Sequence, residues 1–504
     1  SQNNTIYKYE TEWKPFVYAD RGARFASDED IKNTFSEIDM SAFENNASGI
    51  PLLVTGNVAY VNDLDEMTLI AGETGSKKTR CVVYPLIHSC IKAGDSMIIP
   101  DIKGELTSNP VICGELIKHG YQIVRLDYRN FSGDGYNVLE FPTELYSSGN
   151  KDMACRLVRS FYSGLFTKYG STVADPYWSD MSQQHANGLT EILMRIAAYN
   201  SEYKPYVNLA TINACCNECD TDMLKDFIRT EYSNCTHPAI VKLNSVTSTP
   251  DKTRSSIIST TASVLAEFAD FDALMRMHSH STFNIREAYD RPMAIFIILP
   301  DETDAYNSIA GQVIDSMYNQ LIDVYTKEPL NKKPARRINF ICDEFCNMAI
   351  SDMCSKISAS RSRNMRWYLV VQSLNQMKSV YKDDWQTIIG NCKNVLFLQS
   401  ADPELREYIS NLAGITTVSK NPSGEPLLPI ERLKELQKER TYREAIFIRD
   451  NLVYKATLPD IDTYEVVKNY KNVPEVSFKD IDLPGEGSSF SFVPRFERVI
   501  YPAV

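Results

Sequence analysis

Short, unbroken apolar runs alternate along the chain with longer stretches in which apolar residues return every three or four positions. Residues 67–71 form one such run and end at a glycine-containing loop. Residues 79–92 have helical spacing and stop at Gly94, and residues 96–99 and 121–126 are again short runs. A strand that is apolar at every position is covered on both faces, and such strands joined by helices predict a parallel sheet between helical layers. From about residue 150 to residue 288 the strand signal fades. Residues 184–199 and 260–277 there carry three-to-four spacing, which predicts an all-helical domain inserted into the sheet domain. Strand runs resume at 294–299, Ile338–Cys342, 367–371 and 395–398. An amphipathic helix over 306–325 presents Ile309, Val313, Met317, Leu321 and Val324 on one side. The expected order is an irregular lead-in over 1–60, the first part of an α/β domain over 61–149, the all-α insertion over 150–288, the second part of the α/β domain over 289–470, and a tail over 471–504 marked by Pro, Gly and Ser. No internal repeat is visible.

The 504 residues are enough for two or three domains with a sizeable core. Lys and Arg number 53 against 65 Asp and Glu, a formal charge of -12, which argues against a surface that coats nucleic acid broadly. Positive charge serving such a ligand must be local, as in a channel. The twelve cysteines lie mostly singly in apolar or helical surroundings, as at Cys81, Cys90 and Cys392, and no secretory signal precedes them, which is the pattern of a reduced cytoplasmic protein. The longest apolar stretches, 293–300 and Ile338–Cys342, have strand length and fall well short of the ~18 residues a membrane helix needs. The chain opens Ser1-Gln2-Asn3-Asn4 without an initiator Met, as a segment cut from something longer would.

The loop Gly72-Glu73-Thr74-Gly75-Ser76-Lys77-Lys78-Thr79, with Arg80 behind it, follows an apolar run and opens a helix. In that setting backbone amides and a helix N-terminus cradle phosphates, Lys78 reaches the β and γ phosphates of ATP, and the Thr79 hydroxyl holds Mg²⁺. Against the pattern G-x-x-x-x-G-K-[ST], Lys77 replaces the second glycine. Three readings stand: a working site with an extra cation, a nucleotide site with weak hydrolysis, and a loop that has lost nucleotide. Far downstream, Ile338–Cys342 ends in Asp343-Glu344, a Walker B arrangement in which Asp343 holds the Mg²⁺ shell and Glu344 polarises the attacking water. The next apolar run ends at Gln372-Ser373, where Gln372 either senses the γ phosphate or simply caps a strand.

In order along the chain come the phosphate loop, Asp101-Ile102-Lys103-Gly104-Glu105-Leu106, Tyr136-Asn137-Val138-Leu139, Asp175-Pro176-Tyr177-Trp178, Leu299-Pro300-Asp301-Glu302-Thr303, Asp343-Glu344-Phe345, Ser360-Arg361-Ser362-Arg363-Asn364, Val371-Gln372-Ser373-Leu374 and Asn391-Cys392. With these blocks the chain resembles, from about residue 69 to residue 414, the TraG-like coupling ATPases of type IV secretion and conjugation. Lys77 for glycine and Ile102 for the proline of the family's D-P-K-G-E-L are the departures, and only the first bears on chemistry. The resemblance implies a RecA-like P-loop ATPase, working with ATP and Mg²⁺ as a homo-hexameric ring on the inner face of the bacterial membrane. Its cargo would be single-stranded DNA with an attached relaxase, passed into a type IV secretion channel. Family members carry membrane helices ahead of the ATPase, so a native anchor before Ser1 is expected. Position in the pattern favours Arg361 over Arg363 as an arginine finger acting across a subunit boundary, and the helical insertion is expected to recognise cargo. A duplex-DNA translocase of the FtsK or HerA kind and a substrate receptor that no longer hydrolyses ATP are the rival functions.

Other constellations are read more plainly. The loop 101–105 either flanks the site through Lys103 and Glu105 or is a tight turn that needs Gly104, and the turn is slightly favoured. Cys216, Cys219, Cys235 and His237 have an unusual zinc spacing and read as buried reduced cysteines with a histidine nearby. The basic run 332–337 reads as a solvated lead-in to a strand rather than a DNA contact, and Trp178 and Trp385 as packing residues rather than base-stacking platforms.

Overall fold

The computed structural model describes residues 21–167, 175–218, 221–231, 238–327, 336–418 and 421–469. The apolar runs become the strands of one nine-stranded sheet: β1 (Thr68–Gly72), β2 (Ser96–Ile102), β3 (Gln122–Asp127), β4 (Met293–Leu299), β5 (Ile338–Cys342), β6 (Met365–Val371), β7 (Asn394–Gln399), β8 (Tyr442–Arg449) and β9 (Leu452–Pro459). Their order is β9-β8-β7-β1-β6-β5-β2-β4-β3, parallel throughout except for the antiparallel hairpin β8–β9 at one edge. Neighbouring positions in a strand serve opposite faces. Leu69 and Ala71 pack with Trp367, Leu369 and Val371 on one face, whereas Ile70 packs with Tyr368, Val370, Leu396 and the helix Tyr84–Ala93 on the other. Both faces are dry, which is why these strands read as continuous apolar runs.

On the first of those faces the helix Asn307–Thr326 packs on the sheet, Tyr318 lying against Phe340 and Trp367, and the insertion's helix Lys151–Phe166 packs on Asn307–Thr326. Helices Lys151–Phe166, Pro176–Tyr199 and Asn307–Thr326 share one continuous core with β1, β5 and β6. The Tyr136 hydroxyl and Ser316, 2.9 Å apart, tie the segment leading into the insertion to the last of these helices. The insertion is therefore a separate stretch of sequence but not a separate core. Helical structure begins earlier than 150, with Glu140–Ser147, and ends in a short turn at Ile285–Tyr289. Pro142 sits in the first turn of the helix Glu140–Ser147, where no N–H partner is needed.

Two further differences concern the ends. Residues 21–60, expected as irregular, carry the helix Asp28–Thr34, started by a Ser27/Asp30 capping box, and a small antiparallel sheet of Ser36–Asp39, Val58–Val61 and Leu53–Thr55. Strands of three or four residues are too short to display a period. The hairpin β8–β9 also extends regular structure past Arg449, where the sequence turns toward Pro and Gly. Its two-residue turn, Asp450-Asn451, has Asp450 at φ +52°, the left-handed geometry Asp and Asn tolerate in tight hairpins. The lead-in over 1–20 and the tail over 471–504 lie outside the described residues.

Candidate nucleotide site

In a parallel sheet all strands end at the same edge. The register of β1 with β6, β6 with β5 and β5 with β2 therefore brings Gly72, Gln372, Asp343 and the 101–106 turn to one rim. Between them lies a cleft of about 310 Å³, lined among others by Thr74, Gly75, Lys77, Lys78, Thr79, Arg80, Asp101, Lys103, Glu105, Asp343 and Glu344. Helical structure starts at Thr79 with a π-wound turn, Thr79–Val83, and continues as Tyr84–Ala93 to its left-handed cap at Gly94.

The two lysines at the loop diverge. Lys78 is buried, and its Nζ has no hydrogen-bond partner among the described residues; it stands 3.7 Å from the Asp343 carboxylate. The Ser76 hydroxyl beside it is likewise buried and unpartnered. A buried ammonium and hydroxyl left without hydrogen bonds are costly unless a ligand satisfies them, about 1–3 kcal/mol each, although the Asp343 charge offsets part of the cost for Lys78. Lys77 points the other way, donating to the carbonyls of Glu439 (2.9 Å) and Arg440 (2.7 Å) and pairing with Asp460 at 2.8 Å. Its backbone sits at φ +66°, the conformation for which the pattern uses glycine and which costs other residues roughly 1–2 kcal/mol. The Lys77 ammonium is thus engaged away from the cleft side of the loop and is not offered as an extra cation for phosphate. Gly72 is constrained differently: a Cβ there would come within 2.8 Å of the Ser76 hydroxyl.

The remaining members have defined surroundings. Glu73 turns out of the cleft, its carboxylate accepting the Ala401 N–H at 2.8 Å. Arg80 makes a two-pronged contact with Asp460, both bonds 2.9 Å, and also reaches Asp462. Burial and the adjacent Asp343 raise the pKa of Glu344, with Lys78 opposing, and its carboxylate accepts from Asn347 at 2.6 Å. Its φ of +54° lifts the chain off β5 at that point. Burial also pushes Asp101 up to about 6, against the opposing hydrogen bonds from the N–H groups of Leu106 and Thr107 and from the Thr107 hydroxyl. Those bonds, with Gly104 at φ +73°, build the tight turn that the sequence favoured, while Lys103 and Glu105 still line the cleft and Lys103 lies 3.5 Å from Asp301.

Gln372 lies at the same rim, half-buried, with its carbonyl accepting from the Ser400 hydroxyl. Arg361 does not join the group. It precedes β6 and so falls at the opposite edge of the sheet, exposed, beside a hollow of about 540 Å³ shared with Asp65, Glu66, Lys393 and Asp450. No hydrogen bond or ion pair holds it among the described residues, whereas Arg363 donates to Ala359 and Ser362. Three contributors gave no local signal: Lys438, which donates to the Gly75 carbonyl at 2.9 Å; Arg443, fully buried and donating to the carbonyls of Ser76 and Leu398; and Asp460. Each is more than 360 residues from the loop it touches, and no sequence spacing encodes that.

Of the other constellations, Cys216 is buried, while Cys219, Cys235, His237 and residues 332–335 lie outside the described residues. The end of the basic run is internally engaged, Arg336 on the Gly94 carbonyl and Arg337 on Asp63 and Asp65. Trp385 packs on the core with the Lys378 ammonium 4.9 Å from its ring, and Trp178 is half-buried against Tyr177.

A family model described as type IV secretory system conjugative DNA transfer matches residues 24–445. The chain belongs to this conjugative DNA-transfer family. The resemblance carried by its sequence blocks is borne out, and so is the RecA-like α/β fold. Among solved structures, the unbound bacterial conjugative coupling protein TrwBdeltaN70 aligns with a TM-score of 0.61 at 16% identity, covering 88% of this chain and 95% of that one. The plasmid coupling protein TrwB in complex with the GTP analogue GDPNP aligns at 0.63 and 17% identity over 89% and 96%, and TrwB in complex with ADP and Mg²⁺ at 0.60 and 16% over 88% and 95%. At these identities the likeness is one of fold. No curated protein matches by sequence. No described helix of this coupling-family member is long and apolar enough to cross a membrane.

Proposed function

We propose that the chain is the nucleotide-driven coupling ATPase of a conjugative type IV secretion system, recruiting single-stranded DNA with its relaxase and moving it toward the channel. The observation that carries the nucleotide reading is the buried Lys78 ammonium, which makes no hydrogen bond among the described residues and faces Asp343 at 3.7 Å in a cleft at the sheet rim. TrwB, of the same fold, is described in complex with nucleotide analogues and with ADP and Mg²⁺, which supports the same ligands here. Lys78 would take the β and γ phosphate oxygens, and the Thr79 hydroxyl and Asp343 would hold Mg²⁺, which draws charge off those oxygens. Glu344, its pKa raised by burial and by Asp343, is suited to accept a proton from the attacking water. Gln372 would orient that water or read the γ phosphate.

Arg361, on the far edge of its own sheet, would serve the site of a neighbouring subunit in a homo-hexameric ring. The family membership supports work at the cytoplasmic face of the membrane, alongside channel components. The test is Mg²⁺·ATP turnover with and without single-stranded DNA, for the native chain and Glu344→Gln. Turnover stimulated by single strands and abolished by Glu344→Gln is expected. Stimulation by duplex DNA alone would favour a duplex translocase, and tight nucleotide binding without turnover would favour a receptor.

A further inference from the structure

The loop that faces the cleft on one side is held along its other side by a second segment of the chain. Residues 438–443, which lead into and begin β8, grip three consecutive loop positions. Lys438 donates to the Gly75 carbonyl at 2.9 Å and Arg443 donates to the Ser76 carbonyl at 3.3 Å. Lys77 closes the contact from the loop's side, onto the carbonyls of Glu439 and Arg440.

Asp460, just past β9, completes the arrangement. An ammonium has three donors, and those of Lys77 are matched by two carbonyls and one Asp460 oxygen. The same carboxylate takes both prongs of Arg80 and the N–H of Asp462, and its side chain is only 3% exposed. Lys77 and Arg80 bracket Lys78 and Thr79 in sequence. One buried acid therefore fixes the residues on either side of the two that would meet nucleotide and metal. Each tie is charge-assisted, the stronger kind of hydrogen bond.

We infer that Lys77 and Asp460 form a tether that positions the phosphate loop, and that the lysine standing in the glycine position is there for this tether and not for the phosphates. The left-handed backbone at Lys77, unfavourable for any side chain, is held by the three bonds its ammonium makes. This assignment rests on the nucleotide reading above only for its effect on affinity. Its effect on the loop itself is independent of any ligand.

The experiment therefore has two readouts on the native chain, Lys77→Gly, Lys77→Arg, Asp460→Asn and the Lys77→Gly/Asp460→Asn double variant. Without nucleotide, amide hydrogen exchange across 73–80 should quicken in Lys77→Gly and in Asp460→Asn. With Mg²⁺ and a fluorescent ATP analogue, each single variant should bind at least about tenfold more weakly, since each loses more than one charge-assisted bond holding the loop. The double variant should lose less than the product of the two single losses, because the two residues share one bond, and Lys77→Arg, which can still reach Asp460, should retain most of the affinity. Unchanged exchange in both single variants, or affinity in Lys77→Gly equal to or better than native, overturns the tether. A double variant whose loss is the product of the two single losses overturns it as well, because the residues would then act separately. If exchange quickens as expected but neither the native chain nor Lys78→Ala binds nucleotide, the tether stands and the nucleotide reading falls.

Discussion

Gly311, in the interior of the helix Asn307–Thr326, is where that helix meets the segment that follows the acid pair of the site. An ideal Cβ at this position would lie 2.9 Å from the Ala349 carbonyl oxygen and 3.3 Å from its carbonyl carbon. Both atoms are backbone and cannot rotate away, and non-bonded heavy atoms prefer roughly 3.5–4.0 Å. Gly311→Ala should gain about 1 kcal/mol from helix propensity and lose about 1–3 kcal/mol to overpacking, a net loss on the order of 1 kcal/mol. Ala349 follows the short turn Phe345–Asn347 that begins beside Glu344, and Asn347 holds the Glu344 carboxylate. The displaced backbone should thus reach the acid pair, so ATP turnover should fall by more than the stability change would suggest. Gly390→Ala is the control, since a Cβ there meets nothing within 4 Å. Thermal unfolding of the two variants and the native chain, with turnover measured on the same samples, checks the argument. If Gly311→Ala is as stable as Gly390→Ala, the close approach read from the structure is wrong.

Two other outcomes follow from named contacts. Burial works against ionisation of Asp460, but Arg80, Lys77 and the Asp462 N–H outweigh it and hold its carboxyl at about 2, below its ordinary 3.8. The native state then binds fewer protons than the unfolded chain in this range, so the carboxylate's contribution is complete above about pH 4 and is lost as pH falls toward 2. Denaturant midpoints of native chain and Asp460→Asn should differ at pH 6 and converge on acidification; a gap that persists unchanged at pH 3 would contradict this. For Arg361, subunits carrying Arg361→Ala mixed with subunits carrying Glu344→Gln should recover turnover at interfaces with one intact site and one intact finger, and no recovery from mixtures that still assemble would remove its role in trans.

How much the sequence disclosed follows from which forces are local. Strands buried on both faces must be apolar at every position, so the seven parallel strands and the helix after the phosphate loop were readable from runs and spacing alone. The rim of the site was readable for a related reason, because parallel strands share one C-terminal edge and each motif sits at a strand end. The N-terminal sheet was hidden by the brevity of its strands. The hairpin β8–β9 was masked by the Pro and Gly beyond it, although Asp450-Asn451 was a usable turn signal. The side-chain direction of Lys77 could not be read at all, since it depends on Asp460, 383 residues away. The sequence pattern also suggested an insertion with its own independence, while the core that Lys151–Phe166 shares with Asn307–Thr326 means that excising the insertion would uncover that helix. Cargo recognition is better probed by exposed substitutions on the insertion than by its removal.

The central claim is that Lys78 and Asp343 face each other across the cleft to receive the phosphates and metal of a nucleotide. Its most direct test is equilibrium binding of a non-hydrolysable ATP analogue, with and without Mg²⁺, to the native chain and to Lys78→Ala. Saturable, Mg²⁺-dependent binding by the native chain, weakened at least about tenfold by Lys78→Ala through the loss of a charge-assisted contact, is the predicted result. Equal affinity in the two proteins, or no binding by the native chain, would contradict it.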